Sequence, residues 1–173
     1  MNHKILLAVV LLLSAGGSTT GSAEAGGDAF SAQIKAVDER TVIAGLVDLN
    51  ALRAAHPEKV LVVDLRTAAE GAEAEGDAAA ALGMDYVNSP VASASVDPVQ
   101  VDALRTTLAG ADPEALIVVH CATGNRASML WGAMRLADGS PMSEVRGNLD
   151  GILTKQPAID GLDAFARTLN AGQ

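Results

Sequence analysis

One stretch constrains this chain more than any other. Residues 115–119 are an apolar, β-branched run, Ala-Leu-Ile-Val-Val, that ends in His120 and Cys121. Ala122, Thr123, Gly124 and Asn125 make a short loop with a single glycine, Arg126 follows, and then comes the apolar-periodic stretch Ala127 to Leu136. The order reads as strand, loop, helix, with a thiol and a guanidinium at the two ends of the loop. A loop that opens a helix turns backbone N–H groups toward one point, and the helix dipole adds partial positive charge there. A cysteine at that point is expected to ionise more readily than an ordinary thiol, and Arg126 to hold an oxyanion bidentately over the sulfur. The pattern predicts a nucleophilic-thiol site for an anionic group. A lone cysteine after an apolar strand is in most proteins a small buried hydrophobe. Such a filler has no need of a Gly-Asn-Arg turn with a helix start directly behind it.

The flanking sequence supplies a scaffold of alternating strands and helices. Thr41 to Ala44 reads as a short strand, and Val47 to Ala55 as a helix with Asp48 near its start and Pro57 past its end. Lys59 to Leu65 is a continuous apolar strand of the kind buried on both faces. Thr67 to Leu82, rich in alanine and glutamate, predicts one helix stopped by Gly83, although Gly71 and Gly76 weaken it. Asp85 to Val91 is a third strand. Asp97-Pro98 starts a helix to Leu108, with Asp97 as N-cap and Pro98 at the first helical position. Pro141-Met142-Ser143 begins a short helix and Ile159 to Leu169 forms another. This alternation indicates a largely parallel α/β sheet, whose site lies at the carboxyl ends of the strands. Cys121 sits at such an end.

The amino terminus predicts export. Lys4 precedes the unbroken apolar run Ile5 to Leu13 and a stretch of small residues, as in a secretory signal peptide too short to span a bilayer. Cleavage after Ala23-Glu24-Ala25 competes with Ala15-Gly16-Gly17. The expected organisation is a signal peptide over residues 1–25, a leader over 26–34 that is loose from Gly26 to about Ser31, and one domain over 35–173. The net charge of −9 without a basic stripe argues against nucleic acid as a partner, so an anionic substrate must be attracted locally. No further segment is long and apolar enough to span a membrane. With one cysteine no intramolecular disulfide can form, and the thiol is free for chemistry. The mature chain would hold two histidines, His56 and His120, and no clustered ligands, so neither metal nor cofactor is expected.

His120-Cys121-Ala-Thr-Gly124-Asn-Arg126, together with Val62-Val63-Asp64-Leu65-Arg66 and Leu82 to Val91, resembles the cysteine-dependent phosphatases of tyrosine and dual-specificity type. Within that group the chain is most similar to a bacterial family of phosphatase-like domains, some of them fused to β-lactamase-like hydrolases. The resemblance spans roughly residues 35–150. It implies a three-layer α/β/α fold with a small, largely parallel sheet, and a phosphomonoesterase that works through a phosphocysteine. Four residues separate Cys121 from Arg126, one fewer than the usual phosphatase loop, and in this the loop is similar to that of rhodanese sulfurtransferases. No rhodanese-like Gly-His-Ile-Pro-Gly-Ala segment follows Asp64-Leu65-Arg66.

The resemblance assigns the roles. Cys121 is the expected nucleophile, and Arg126 binds the dianion with the N–H groups of Ala122, Thr123, Gly124 and Asn125 completing the cradle. His120 holds the loop by hydrogen bonds or takes a proton. In the resembled enzymes an aspartate after the third strand protonates the leaving oxygen. Here that loop reads Ala92-Ser93-Ala94-Ser95-Val96-Asp97, so Asp97 is the candidate acid, and capping explains it equally well. Asp64 and Arg66 are expected to orient loops or pair with the acidic helix. Met129, Leu130, Trp131, Met134 and Leu136 form a core face. Three functions stand open: an exported phosphatase, a sulfurtransferase through a Cys121 persulfide, and a non-catalytic anion-binding module.

Overall fold

The computed structural model describes residues 30–171, so the expected signal peptide over residues 1–25 lies outside the described residues. Five strands form one sheet in the order β1-β2-β5-β3-β4: β1 (Ile34–Ala36), β2 (Thr41–Ala44), β3 (Val60–Asp64), β4 (Asp85–Asn88) and β5 (Leu116–His120). Only β1 runs antiparallel to its neighbour. Six α-helices lie among the described residues: α1 (Leu49–Ala55), α2 (Ala72–Ala81), α3 (Pro98–Gly110), α4 (Asn125–Ala137), α5 (Met142–Asn148) and α6 (Gln156–Ala171). This is the largely parallel α/β sheet read from the sequence.

Strand side chains alternate between the two faces, and the alternation builds two cores. Ile43, Leu61, Val63, Ile117 and Val119 pack with Val101, Leu104, Met129, Leu130, Trp131 and Leu162 on the side of α3, α4 and α6. Val42, Val60, Val62, Leu116 and Val118 pack with Leu49, Leu52 and Ala79 on the side of α1 and α2. The expected core face of α4 is buried, with Met129 and Leu130 at 0% exposure.

Three expectations need correction. The single helix over Thr67 to Leu82 is broken. Ala68–Glu70 is a 3-10 turn, Gly71 takes a left-handed φ of 90°, and the α-helix starts at Ala72. The leader is not loose where it is described. Phe30 and Ser31 are buried, the Gln33 carbonyl accepts from Gly45 N–H at 2.8 Å, and Ile34 opens β1. The third strand ends at Asn88, short of Val91, because Asn88 turns its side-chain amide to the carbonyls of Asp64 and Arg66.

Candidate active site

Central strand β5 is flanked by two parallel neighbours, and its carboxyl end delivers Cys121 to the point where the chain turns into α4. The loop is tied down on three sides. Cys121 N–H donates to the Ala44 carbonyl at 3.4 Å, and Thr123 pairs with Gly45. The buried Ser128 hydroxyl donates to the Gly124 carbonyl at 2.8 Å. Asn125 Oδ1 accepts from the N–H groups of Thr154 and Lys155, at 2.8 and 2.7 Å.

Gly124 is irreplaceable on two counts. Its φ is +77°, which L side chains rarely adopt. A Cβ there would also come within 2.9 Å of Ile152 and 3.4 Å of the Ala44 carbonyl. Thr123 keeps its β-bridge to Gly45, while the bend leaves the N–H groups of Ala122, Asn125 and Arg126 without a hydrogen-bond partner among the described residues. A ring of free donors at a helix start is an anion cradle.

Cys121 is 1% exposed and lies among the apolar side chains of the α3, α4 and α6 core. Arg126 is steered by Glu70. Its Nη1 donates to Glu70 Oε2 at 3.0 Å and to the Val91 carbonyl at 2.7 Å, and its Nη2 to Glu70 Oε1 at 2.5 Å. The bonds to Glu70 push the guanidinium above its usual range, against the opposing effect of burial. Sequence reasoning missed Glu70, although Thr67-Ala-Ala-Glu70 carries a capping-box signal and Glu70 Oε2 accepts from both the N–H and the hydroxyl of Thr67 at 3.0 Å.

The hydrogen bonds from Arg126, then the N–H and hydroxyl of Thr67, pull the Glu70 carboxyl down to about 2. A carboxylate depressed in the fold contributes stability above its ordinary range near 4.3 and loses it as pH falls through the folded value. The Glu70–Arg126 pair is thus expected to persist from neutral pH down to about 2. A carboxyl-carbon NMR titration of Glu70 checks this. A midpoint near 4 would mean that the pair is not held in solution.

His120 is placed differently from the expectation. Period-two alternation puts it on the α1 and α2 face, opposite Cys121, so its ring is not part of the cradle. It is fully buried, with Nε2 2.9 Å from Glu75 Oε1 and 3.5 Å from Asp64 Oδ1. Neither ring nitrogen makes a well-aimed hydrogen bond among the described residues. Arg66 forks onto Asp64 through Nε and Nη2 and bonds Glu75, and Tyr86 Oη is 2.8 Å from Asp64 Oδ2. Burial pushes the Asp64 carboxyl up, but the bonds from Arg66 and attraction to His120 outweigh it and leave it below the usual range. The pairing of Arg66 with Glu75 is the link to the acidic helix that the sequence implied. The same fold brings ligand atoms of Asp64, Glu75 and His120 within 4.8 Å of one another, a grouping the sequence did not disclose. The guanidinium lies against both carboxylates, so this is an ion-pair network and not an open cation site.

Asp97 is exposed and accepts from Val99 N–H at 2.9 Å as the N-cap of α3. The structure thus shows its capping role. His56 pairs with Glu58 at 2.8 Å and takes no part in the site.

Residues 33–137 match the phosphatase-like domain of beta-lactamase hydrolase-like proteins. The chain belongs to this family. That places the domain in the cysteine-dependent phosphatase superfamily, among protein-tyrosine-phosphatase-like hydrolases. Solved structures agree on the fold. A candidate phosphatase (DUF442) from Shewanella putrefaciens CN-32 superposes with a TM-score of 0.62 at 18% identity, covering 83% of this chain and 94% of that one. A candidate phosphatase from Neisseria meningitidis Z2491 gives 0.61 at 22% identity, covering 81% and 98%. P. aeruginosa TpbA, as a cysteine-to-serine variant in complex with phosphotyrosine, gives 0.57 at 18% identity, covering 79% and 89%. No curated protein matches. Among the described residues of the domain no helix is long and apolar enough to cross a membrane.

Proposed function

We propose that this phosphatase-like domain is an exported phosphatase that hydrolyses a phosphomonoester through a phosphocysteine at Cys121. The observation that carries the reading is the turn between Cys121 and an Arg126 steered by Glu70, in which the N–H groups of Ala122, Asn125 and Arg126 have no partner among the described residues. The Cys121 thiolate attacks phosphorus, the phosphorus–oxygen bond to the leaving group breaks, and that oxygen takes the electron pair and a proton. Water then attacks the phosphocysteine, the sulfur–phosphorus bond breaks, and phosphate leaves with the thiolate restored. The cradle and Arg126 stabilise the charge on the equatorial oxygens in both steps. The phosphotyrosine bound to TpbA supports a phosphorylated substrate. Export rests on the sequence of residues 1–25.

Asp97 is the proposed acid because it stands on the loop after β4. Hydrolysis of nitrophenyl phosphate and of an alkyl phosphate, with a chelator present, tests both the reaction and the acid. Turnover is expected without added metal. If Asp97 donates the proton, Asp97→Asn slows the alkyl phosphate by about tenfold or more and barely touches the nitrophenyl ester, whose leaving group needs little help. Asparagine caps nearly as well as aspartate, so capping alone predicts little change with either substrate.

One observation favours a second reading. The four-residue spacing of Cys121 and Arg126 makes a tighter ring, which fits a sulfane sulfur more easily than a tetrahedral phosphate. Cys121 would then take the outer sulfur of thiosulfate, the sulfur–sulfur bond breaking with its electron pair on departing sulfite. Thiocyanate formed from thiosulfate and cyanide is its test. A non-catalytic anion-binding module is excluded by turnover in either assay.

A further inference from the structure

The family match ends at residue 137, yet the chain beyond it reaches back to the anion loop. Thr154 and Lys155 give their N–H groups to Asn125, the residue directly before Arg126. Lys155 is fixed from behind as well, because its carbonyl accepts from Ala158 and Ile159 in the first turn of α6. Its backbone is thus pinned beside the cradle while its side chain is exposed.

Its charge is uncommitted, which is unusual in a chain with 12 Lys and Arg against 21 Asp and Glu. Arg126 carries Glu70 and Arg66 carries Asp64 and Glu75. Most other cations pair with carboxylates or bond backbone carbonyls. Only Lys35, Lys155 and Arg167 lack an ion pair or a side-chain hydrogen bond among the described residues. Lys35 is on the edge strand, two strands away from β5. Arg167 is about 18 Å further along α6 at the usual helical rise. Lys155 alone stands beside the candidate site.

We infer that Lys155 sets substrate specificity by pairing with a second negative group, a phosphate or carboxylate next to the reacting phosphate. This rests on the phosphatase reading for the reacting group. Arg126 already pairs with Glu70, so a substrate with two anionic groups needs another cation. A lysine suits that task, since its flexible stem and point charge impose no fixed fork geometry.

The test is protection of Cys121 against iodoacetamide by orthophosphate or pyrophosphate at low ionic strength, where a surface pair is not screened. Lys155→Met is expected to raise the protecting concentration of pyrophosphate by about three- to fivefold and leave orthophosphate unchanged. Lys155→Glu should raise it further, Lys155→Arg should retain the preference, and Lys35→Met should change neither. Equal losses for both anions, or no loss for pyrophosphate, would overturn the role of Lys155 while the anion site stands. If orthophosphate does not protect the wild-type protein at all, the anion site fails and this inference with it.

Discussion

Arg126→Ala is expected to cut nitrophenyl phosphate turnover by about 100- to 1000-fold, the loss seen when one preorganised oxyanion donor is removed. The true figure should lie at the upper end or beyond. Arginine here offers a fork rather than one donor, and its removal strands the Glu70 carboxylate beside an incoming dianion. Adding Glu70→Gln to Arg126→Ala should therefore recover part of the loss. Cys121→Ser should abolish turnover outright, because an unactivated hydroxyl is a far weaker nucleophile than a thiolate. Steady-state rates of the three variants, with circular dichroism to confirm folding, check this. Turnover retained by Cys121→Ser would remove the thiol from the mechanism.

Arg66→Met is expected to destabilise the fold by about 3–5 kcal/mol, the cost of leaving a buried charge uncompensated. Asp64 and Arg66 are 0% and 8% exposed at their side chains, and Glu75 is 11% exposed. Loss of the guanidinium leaves two carboxylates against each other with only His120 opposite. Urea denaturation measures the change. Acid should act in the same direction. Asp64 is depressed in the fold, so its contribution is present above the ordinary aspartate range and is lost as pH falls through its lowered value. A wild-type midpoint that does not fall on acidification, or an Arg66→Met loss below about 1 kcal/mol, the value of a surface pair, would contradict the buried network.

Local chemistry made much of this legible in the sequence. Cysteine, glycine and arginine around a β-branched run define the loop, because each is demanded by something within a few residues. Gly124 needs its positive φ, Cys121 ends β5, and Arg126 stands in the first turn of α4. Asp97-Pro98 gave away the start of α3 for the same reason. What the sequence hid depends on chain segments far apart. Asn125 is bound by Thr154 and Lys155 across 29 and 30 residues, and Arg126 meets Glu70 across 56. The side-chain contacts of His120 follow from the packing of α2 against the sheet, which places Glu75 beside its ring. Strand β1 escaped because three residues, Ile34-Lys35-Ala36, are too few for a pattern.

A covalent intermediate on Cys121 is read directly by the mass of the intact protein. The protein is incubated with nitrophenyl phosphate, quenched in acid within one turnover, and weighed beside a sample treated with thiosulfate. A phosphoryl adduct with the aryl phosphate, absent in Cys121→Ser, is the predicted result. A gain of one sulfur atom from thiosulfate with no phosphoryl adduct would contradict it and make the protein a sulfurtransferase.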